Sequence, residues 1–438
     1  MPTLIRSKLL IADPCEPPIS GGVVIIDGER VLGAGPPAAL NVDQAWETLD
    51  WSSWTVMPAL IDGHAHITAN NRFRVPLNVH FELDTATAVL RGAMNLRSDL
   101  ATGVTTMRTL GDREGIEKPF QEAIDRKEAA GPRLKACVRA LRPGHGTAPF
   151  LSFPADGAAE LEDRIRENVS HGADWTKLFI TNVRDGNTFE DYLRGDLTDI
   201  AAYSREEIEA AIGVSHNLGV PVAAHAIGGP AMRWAMDAGI DSIEHANLLE
   251  AKDVDLFVKS GAYLSDPNLQ LFFDREVGFE SFETWHMDWW RRRVERARER
   301  TARHLPEAVR AGVKVCLGTD STHATLWREA RALADLGVSN ADAIRAVTTN
   351  TAEMLDVADR LGRLAPGYLA DVIAVDGNPL EDVACLRRVR GVIKAGESVE
   401  NLLSGASEVF RDQAEGGVPV AIEAPRIKPN RLLGYAGD

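Results

Sequence analysis

With 438 residues, 45% of them apolar, the chain is long enough for one large domain with a smaller partner, or for two ordinary domains. Its 64 acidic against 48 basic side chains leave a formal charge of −16, which argues against nucleic acid or an anionic membrane as the main partner. The four cysteines, Cys15, Cys137, Cys316 and Cys385, lie far apart without a CxxC pair, so free thiols are expected rather than a disulfide framework or a thiolate metal site.

The first segment, "MPTLIRSKLLIADPCEPP", has neither the long apolar run nor the small-residue cleavage site of a signal peptide. No stretch approaches a membrane span, and a cytoplasmic location is the expectation. Residues 4 to 36 read as short strands and a hairpin turning at Asp27-Gly28, and the same texture returns late, in "LADVIAVDGNP" and "VRGVIKAGESV".

Between these ends the pattern changes. "VMPALIDGHAHITAN" (56–70) carries an apolar strand into His64 and His66, whose spacing of two points both rings to one face. They form either a polar surface cluster or the first half of a metal site. Further strands, "KLFI", "VPVAAHA", "IDSIEHA", "GAYLSDP" and "VKVCLGTD", alternate with charged, alanine-rich helical segments. One helix is expected to start at Ser204, where "SREE" offers a serine cap with an acid at the third position. The basic run "WWRRRVERARER", interleaved with Glu295 and Glu299, reads as a solvated helix face.

This alternation predicts an α/β fold, a (β/α)8 TIM barrel over residues 58–365. A small β-sandwich domain is expected from both chain ends, 1–57 plus 366–400, and a C-terminal extension from 401–438. A doubly wound sheet is the alternative, but no early glycine-rich phosphate loop supports it.

Polar residues stand where the strands finish. Lys177, in the apolar "DWTKLFI", cannot stay charged in a dry core without partners. It is either a snorkelling lysine at the barrel edge or an amine carbamylated by carbon dioxide. His225 and His245 close consecutive strands, and Asp320 follows the strand assigned as eighth, adjacent on closure to the histidine pair. Four histidines, a lysine and an aspartate at strand ends are more telling together than any one alone.

Those residues, with "HAH" at 64–66, "AAHA", "IEHA", "GTDS" and the late "ADRLGRLAPGYLADVIAVDGNPLEDV", resemble the amidohydrolase superfamily over nearly the whole chain. More narrowly, the chain is similar to the imidazolonepropionase-like branch that also holds Xaa-Pro dipeptidases, ochratoxin amidohydrolases, and phenylurea and molinate hydrolases. The resemblance implies two divalent metal ions, zinc by preference with cobalt or manganese as alternatives. His64, His66 and Asp320 would hold one ion and His225 and His245 the other, bridged by N-carboxylated Lys177. Asp320 would also pass a proton from water to the leaving nitrogen. His145, in "RPGHGTAP", would be the catalytic donor that stabilises the oxyanion.

Dipeptidase-like members commonly carry "HAYT" after the fifth strand, with a tyrosine that helps hold a substrate carboxylate. This chain has "HAIGGP", with Ile227 at that place. The substrate pocket is expected to include Arg142, Ile227, Phe272 and Trp285, the last two from an aromatic segment after the seventh strand that either lines the pocket or packs an insertion. The expected activity is hydrolysis of a small, neutral, hydrophobic N-substituted amide, urea or (thio)carbamate. The alternatives are a dipeptidase, carboxypeptidase-type or N-acyl amino acid amidohydrolase, and a cyclic amide or amidine hydrolase. The expected partner is a small-molecule substrate, with no nucleic acid and no membrane, and the chain is expected to form a homo-oligomer.

Overall fold

The computed structural model describes residues 2–43, 45–69, 84–184 and 189–402, so the C-terminal extension falls, from 403 onward, outside the described residues. The strand Glu47–Pro58 leads directly into Leu60–Ala65, the first strand (β1) of a parallel barrel. It is followed by β2 (Val104–Thr109) and by β3, which comes in two pieces, Arg133–Ala136 and Ala140–Arg142. Then come β4 (Thr176–Phe179), β5 (Val222–Ala226), β6 (Ser242–His245), β7 (Tyr263–Ser265) and β8 (Val315–Cys316). Each strand pairs in parallel with the next; the first piece of β3 serves β2 and the second serves β4.

The break in β3 has a local cause and a local remedy. Val138 takes a φ of 67°, and the carboxylate of buried Glu117 accepts from the amides of both Cys137 (3.1 Å) and Val138 (2.9 Å). A buried kink would otherwise strand the Val138 donor, whereas the Cys137 amide also reaches Thr109 O (3.1 Å). Burial and the neighbouring Asp112 carboxyl push Glu117 up to about 8.

The circle closes between β8 and β1. Ala65 and Asp320 form a parallel bridge, with Asp320 N donating to His64 O (2.7 Å) and His66 N to Asp320 O (2.8 Å). Gly318 makes this approach possible, because a Cβ there would lie 2.4 Å from the His64 nitrogen. Asp62, fully buried, adds a second tie: it accepts from the Thr319 hydroxyl (2.7 Å), the Thr319 amide (3.1 Å) and the His64 amide (3.0 Å).

Helices pack outside the barrel. The one at Arg205–Asn217 begins with the expected capping box, Glu207 N donating to Ser204 Oγ and Ser204 N to the Glu207 carboxylate. The chain ends form one eight-stranded sheet. Its order runs Glu397–Ser398, Val389–Lys394, Val372–Val375, Glu47–Pro58, Thr3–Leu10, Val23–Asp27, Arg30–Gly35, with Ile19–Ser20 beside Thr3–Leu10. The hairpin turns where the Asp27-Gly28 pair was read, Gly28 supplying a φ of 52°. A bidentate Arg133–Asp371 pair (2.5 and 3.0 Å) ties this sheet to β3. No helix among the described residues is long and apolar enough to cross a membrane.

Candidate metal centre and substrate cavity

The C-terminal ends of the barrel strands bring the four strand-end histidines together. The ring centroids of His64 lie 5.3 Å from those of both His66 and His245, and His225 sits 4.5 Å from His245. In a regular strand neighbours face opposite ways. A left-handed φ of 77° at His245 breaks that rule at the end of β6, so both Glu244 and His245 approach His64. Asp320 and Asn268 are also left-handed, with φ of 53° and 72°. Such residues cost about 1–3 kcal/mol each and persist where surrounding structure imposes them, most often at functional sites.

Coordinating atoms of His64, His66 and Asp320 all lie within 4.8 Å of one another, a group that can hold a metal ion. The hydrogen bonds behind them select the free nitrogens. His64 Nδ1 sits 2.8 Å from Glu244 Oε2, which requires a proton on Nδ1 and leaves Nε2, buried and without a hydrogen bond, as the electron-pair donor. His66 Nδ1 donates to Gly111 O at 2.5 Å, and its Nε2 lies 3.5 Å from Asp320 Oδ1. Asn268 Nδ2 donates to the other Asp320 oxygen. Behind His225, Asn182 Nδ2 stands 2.9 Å from Nε2.

Burial and the Lys177 charge hold His64 and His225 well below the usual imidazole range; burial and the neighbouring His225 ring do the same for His245. Neutral imidazoles are the form that binds metal. Lys177 is fully buried, its Nζ has no hydrogen-bond partner and stands 5.1 Å over the Phe179 ring, and burial lowers its amine to about 8. The unpartnered His64 Nε2 and Lys177 Nζ, with His66, His225, His245 and Asp320 gathered beside them, fit a cation centre.

Beneath them lies a device absent from the sequence reading. Arg108, wholly buried, pairs with Glu244 (2.7 Å), donates to Gly63 O (2.6 Å) and Ser242 Oγ (2.9 Å), and lies over the Trp175 ring. Burial alone would raise the Glu244 carboxyl, but the Arg108 and Lys177 charges hold it below the usual value, keeping it an acceptor for His64. A charged residue in an apolar strand was the signal that exposed Lys177. The same signal is present in "TTMRTL" and "SIEHA".

His323 supports the other side. Its Nδ1 meets Asp99 Oδ2 at 2.7 Å and its Nε2 meets the His66 carbonyl at 3.0 Å. Both ring nitrogens face acceptors, so only the imidazolium satisfies both. Burial alone would push His323 down, but Asp99 and these bonds lift it to about 9. A raised histidine contributes stability in full below its unfolded value near 6.5 and loses it as pH rises through the folded value. The wild-type melting temperature is therefore expected to fall relative to that of His323→Gln between about pH 6.5 and 9, read by paired calorimetric scans. Parallel curves would refute the charged assignment.

The cavity above the histidines holds about 140 Å³, below the roughly 300–1,000 Å³ usual for drug-sized ligands. His66, Lys177, His225, His245 and Asp320 line it, with His64 below. Its apolar wall includes Phe150, Ile227, Phe272 and Phe279, and its polar wall Thr147, Tyr192, Asp196 and Asn268.

Three expected residues are not part of this lining. Arg142 instead donates to the carbonyls of Pro143 and Gly144, both at 2.9 Å, bracing its own loop. Trp285 packs with the aromatic cluster around Trp290, with Arg298 5.1 Å over its ring. The aromatic segment thus divides: Phe272 and Phe279 face the cavity while its tryptophans anchor the helix Asp288–Arg310. His145 is exposed on the rim loop, its carbonyl accepting from Arg184 N. Two residues on, the buried Thr147 hydroxyl lines the cavity with no hydrogen-bond partner.

Comparison with known proteins agrees with this geometry. The ochratoxinase of Aspergillus niger is 24% identical over 421 residues, covering 89% of this chain and 84% of its own. A crystal structure of a Xaa-Pro dipeptidase with methionine in its active site superposes with a TM-score of 0.78 at 26% identity, over 91% of this chain and 99% of that one. Molinate hydrolase shares the fold, with a TM-score of 0.75 at 17% identity over 93% and 97% of the two chains. Residues 55–399 match the model of the Amidohydrolase family, and with the strand-end histidines and Asp320 gathered at the barrel rim, the chain belongs to that family.

Proposed function

We propose that this protein is a binuclear metal-dependent hydrolase that cleaves the C–N bond of a small, neutral, hydrophobic N-substituted amide, urea or (thio)carbamate. The observation that carries the reading is the cavity lining. Among the described residues, its one basic side chain apart from histidines is Lys177, which sits among the metal-facing residues. Among the described residues a substrate carboxylate would find no guanidinium or second ammonium there, and Asp196 would repel it. Ile227, Phe272 and Phe279 favour an apolar group instead.

In this reading His64, His66 and Asp320 would hold one divalent ion, and His225 and His245 the second. N-carboxylated Lys177 would serve both, with zinc the preferred ion and cobalt or manganese the alternatives. Bound ions would supply Lewis acidity, polarising the substrate carbonyl and making hydroxide available near neutral pH. The chain does the rest. Glu244 and Gly111 O fix the tautomers of His64 and His66, and Asn268 holds one oxygen of Asp320. Asp320 takes the proton of the attacking water and gives it to the leaving nitrogen. The apolar wall excludes bulk water from the carbonyl. The free thiols are in keeping with a cytoplasmic setting.

The likeness to the Xaa-Pro dipeptidase favours a second reading, in which the substrate carries a free carboxylate. A hydrolysis screen of the metal-replete protein, read by mass spectrometry, decides between them. It sets N-aryl ureas and N,N-dialkyl (thio)carbamates against N-acyl amino acids and Xaa-Pro dipeptides. Turnover confined to the neutral compounds is expected; turnover confined to the carboxylates would overturn the assignment.

A further inference from the structure

One cavity group takes no part in the bond cleavage described above. The short helix Phe189–Gly195 ends at Asp196, and Arg293, reaching across from the helix Asp288–Arg310, pins that turn. Its Nη1 donates to the carbonyls of Leu193 (3.2 Å), Arg194 (2.6 Å) and Asp196 (2.9 Å). The Asp196 side chain faces the cavity. Its Oδ1 accepts from Asn182 Nδ2 at 2.9 Å and from Leu197 N at 2.8 Å, and neither bond engages Oδ2.

Two further observations fix what Oδ2 can do. Asn182 is fully buried, holds a left-handed φ of 72°, and places the same Nδ2 2.9 Å from His225 Nε2. The carboxylate is therefore held two hydrogen bonds from a ring of the metal-facing set, close to where a scissile carbonyl must sit. Leu197, next in the chain, is itself left-handed at 50°, so the carboxylate stands on a turn that the fold imposes. Oδ2 is thus left as a fixed acceptor on a cavity-lining residue, and a ligand that brings no donor leaves it unmatched.

We propose that Asp196 is a specificity residue whose Oδ2 accepts a hydrogen bond from an N–H beside the scissile carbonyl. The preferred substrates are then N-monosubstituted amides, carbamates or ureas over their N,N-disubstituted counterparts. The proposal rests on the cavity being the substrate site of a C–N hydrolase and narrows that reading. A site built around an acceptor discriminates strongly against an analogue lacking the donor, whereas an added methyl in an apolar pocket is a weak signal.

The test compares ethyl N-butylcarbamate with ethyl N-butyl-N-methylcarbamate on the metal-replete wild type, Asp196→Asn and Asp196→Leu. Affinity is measured by calorimetry, or as KM where a compound is cleaved, and each variant's melting temperature checks its folding. The wild type is expected to favour the N–H compound by about tenfold or more. Asp196→Leu should bring the ratio to within about twofold. Asp196→Asn should lie between them, and it carries the test alone if the leucine variant does not fold. A wild-type ratio near one, no binding of the N–H compound up to its solubility, or a preference that survives loss of the carboxylate would each overturn the assignment. Absence of hydrolysis with the ratio intact would count instead against the proposed activity.

Discussion

Replacing Lys177 with alanine is expected to abolish turnover and to remove part of the bound metal, measured by elemental analysis beside the rate. The environment of this lysine favours the chemistry assigned to it. An amine must be neutral to add to the carbon of carbon dioxide, losing a proton as the carbamate forms. With its value lowered by burial to about 8, Lys177 is roughly a tenth neutral at pH 7, against a few parts in ten thousand for an ordinary lysine. Its Nζ also has no hydrogen-bond partner to hold the ammonium form in place. A charged, buried amine beside four imidazoles is the costly state; an anion between two cations is the stable one. Full activity in Lys177→Ala would exclude the bridging role, and full metal content with lost activity would move the lysine from ligand to acid–base group.

The second large effect is expected at Arg108. Substitution by leucine removes the guanidinium that offsets a fully buried carboxylate, and breaking such a pair costs about 3–5 kcal/mol. Chemical denaturation should show that loss in the unfolding free energy. The consequence for the site follows from Glu244. Without Arg108, burial raises its carboxyl, and the Oε2 that holds the His64 tautomer becomes a weaker acceptor. Metal affinity should fall with stability, by roughly 10–100-fold as for loss of an outer partner of a ligating histidine. The double variant Arg108→Leu/Glu244→Leu separates the two effects. It removes both charges, so part of the stability should return while metal affinity stays low. If affinity returned with stability, the network would be scaffolding alone.

The fold was largely legible because the barrel strands are short apolar runs, several of them carrying or leading into a residue that an apolar strand would not otherwise hold. His225, His245, Lys177 and Asp320 stood out for that reason, and the structure gathers them around one cavity. Ile227 and Phe272 also line that cavity, Ile227 directly after the fifth strand and Phe272 on the short helix Leu269–Phe273 that follows the seventh. The loop positions were harder. Which side chain of "RPGHGTAP" turns inward depends on a tight turn, Gly146 N to Pro143 O, that no periodicity reveals; it buries Thr147 and leaves His145 exposed. Arg142 had the right charge for an anchor, but its own loop's carbonyls claim it. Arg108 and Glu244 were readable by the rule that singled out Lys177. Asn182 and Asp196 were not, because their meaning arises only when two loops meet.

The seam that closes the barrel has a consequence for the order in which the molecule is assembled. The Asp62–Thr319 bonds span 257 positions of sequence, and the His-His-Asp group straddles the same join, His64 and His66 on one side and Asp320 on the other. A nascent chain therefore lacks a complete His-His-Asp group until the last strand has been made and has docked against the first. Contacts so distant along the chain form late, after the local strand–helix units. A cation held by that group would act as a clasp, binding only the closed ring and opposing its reopening.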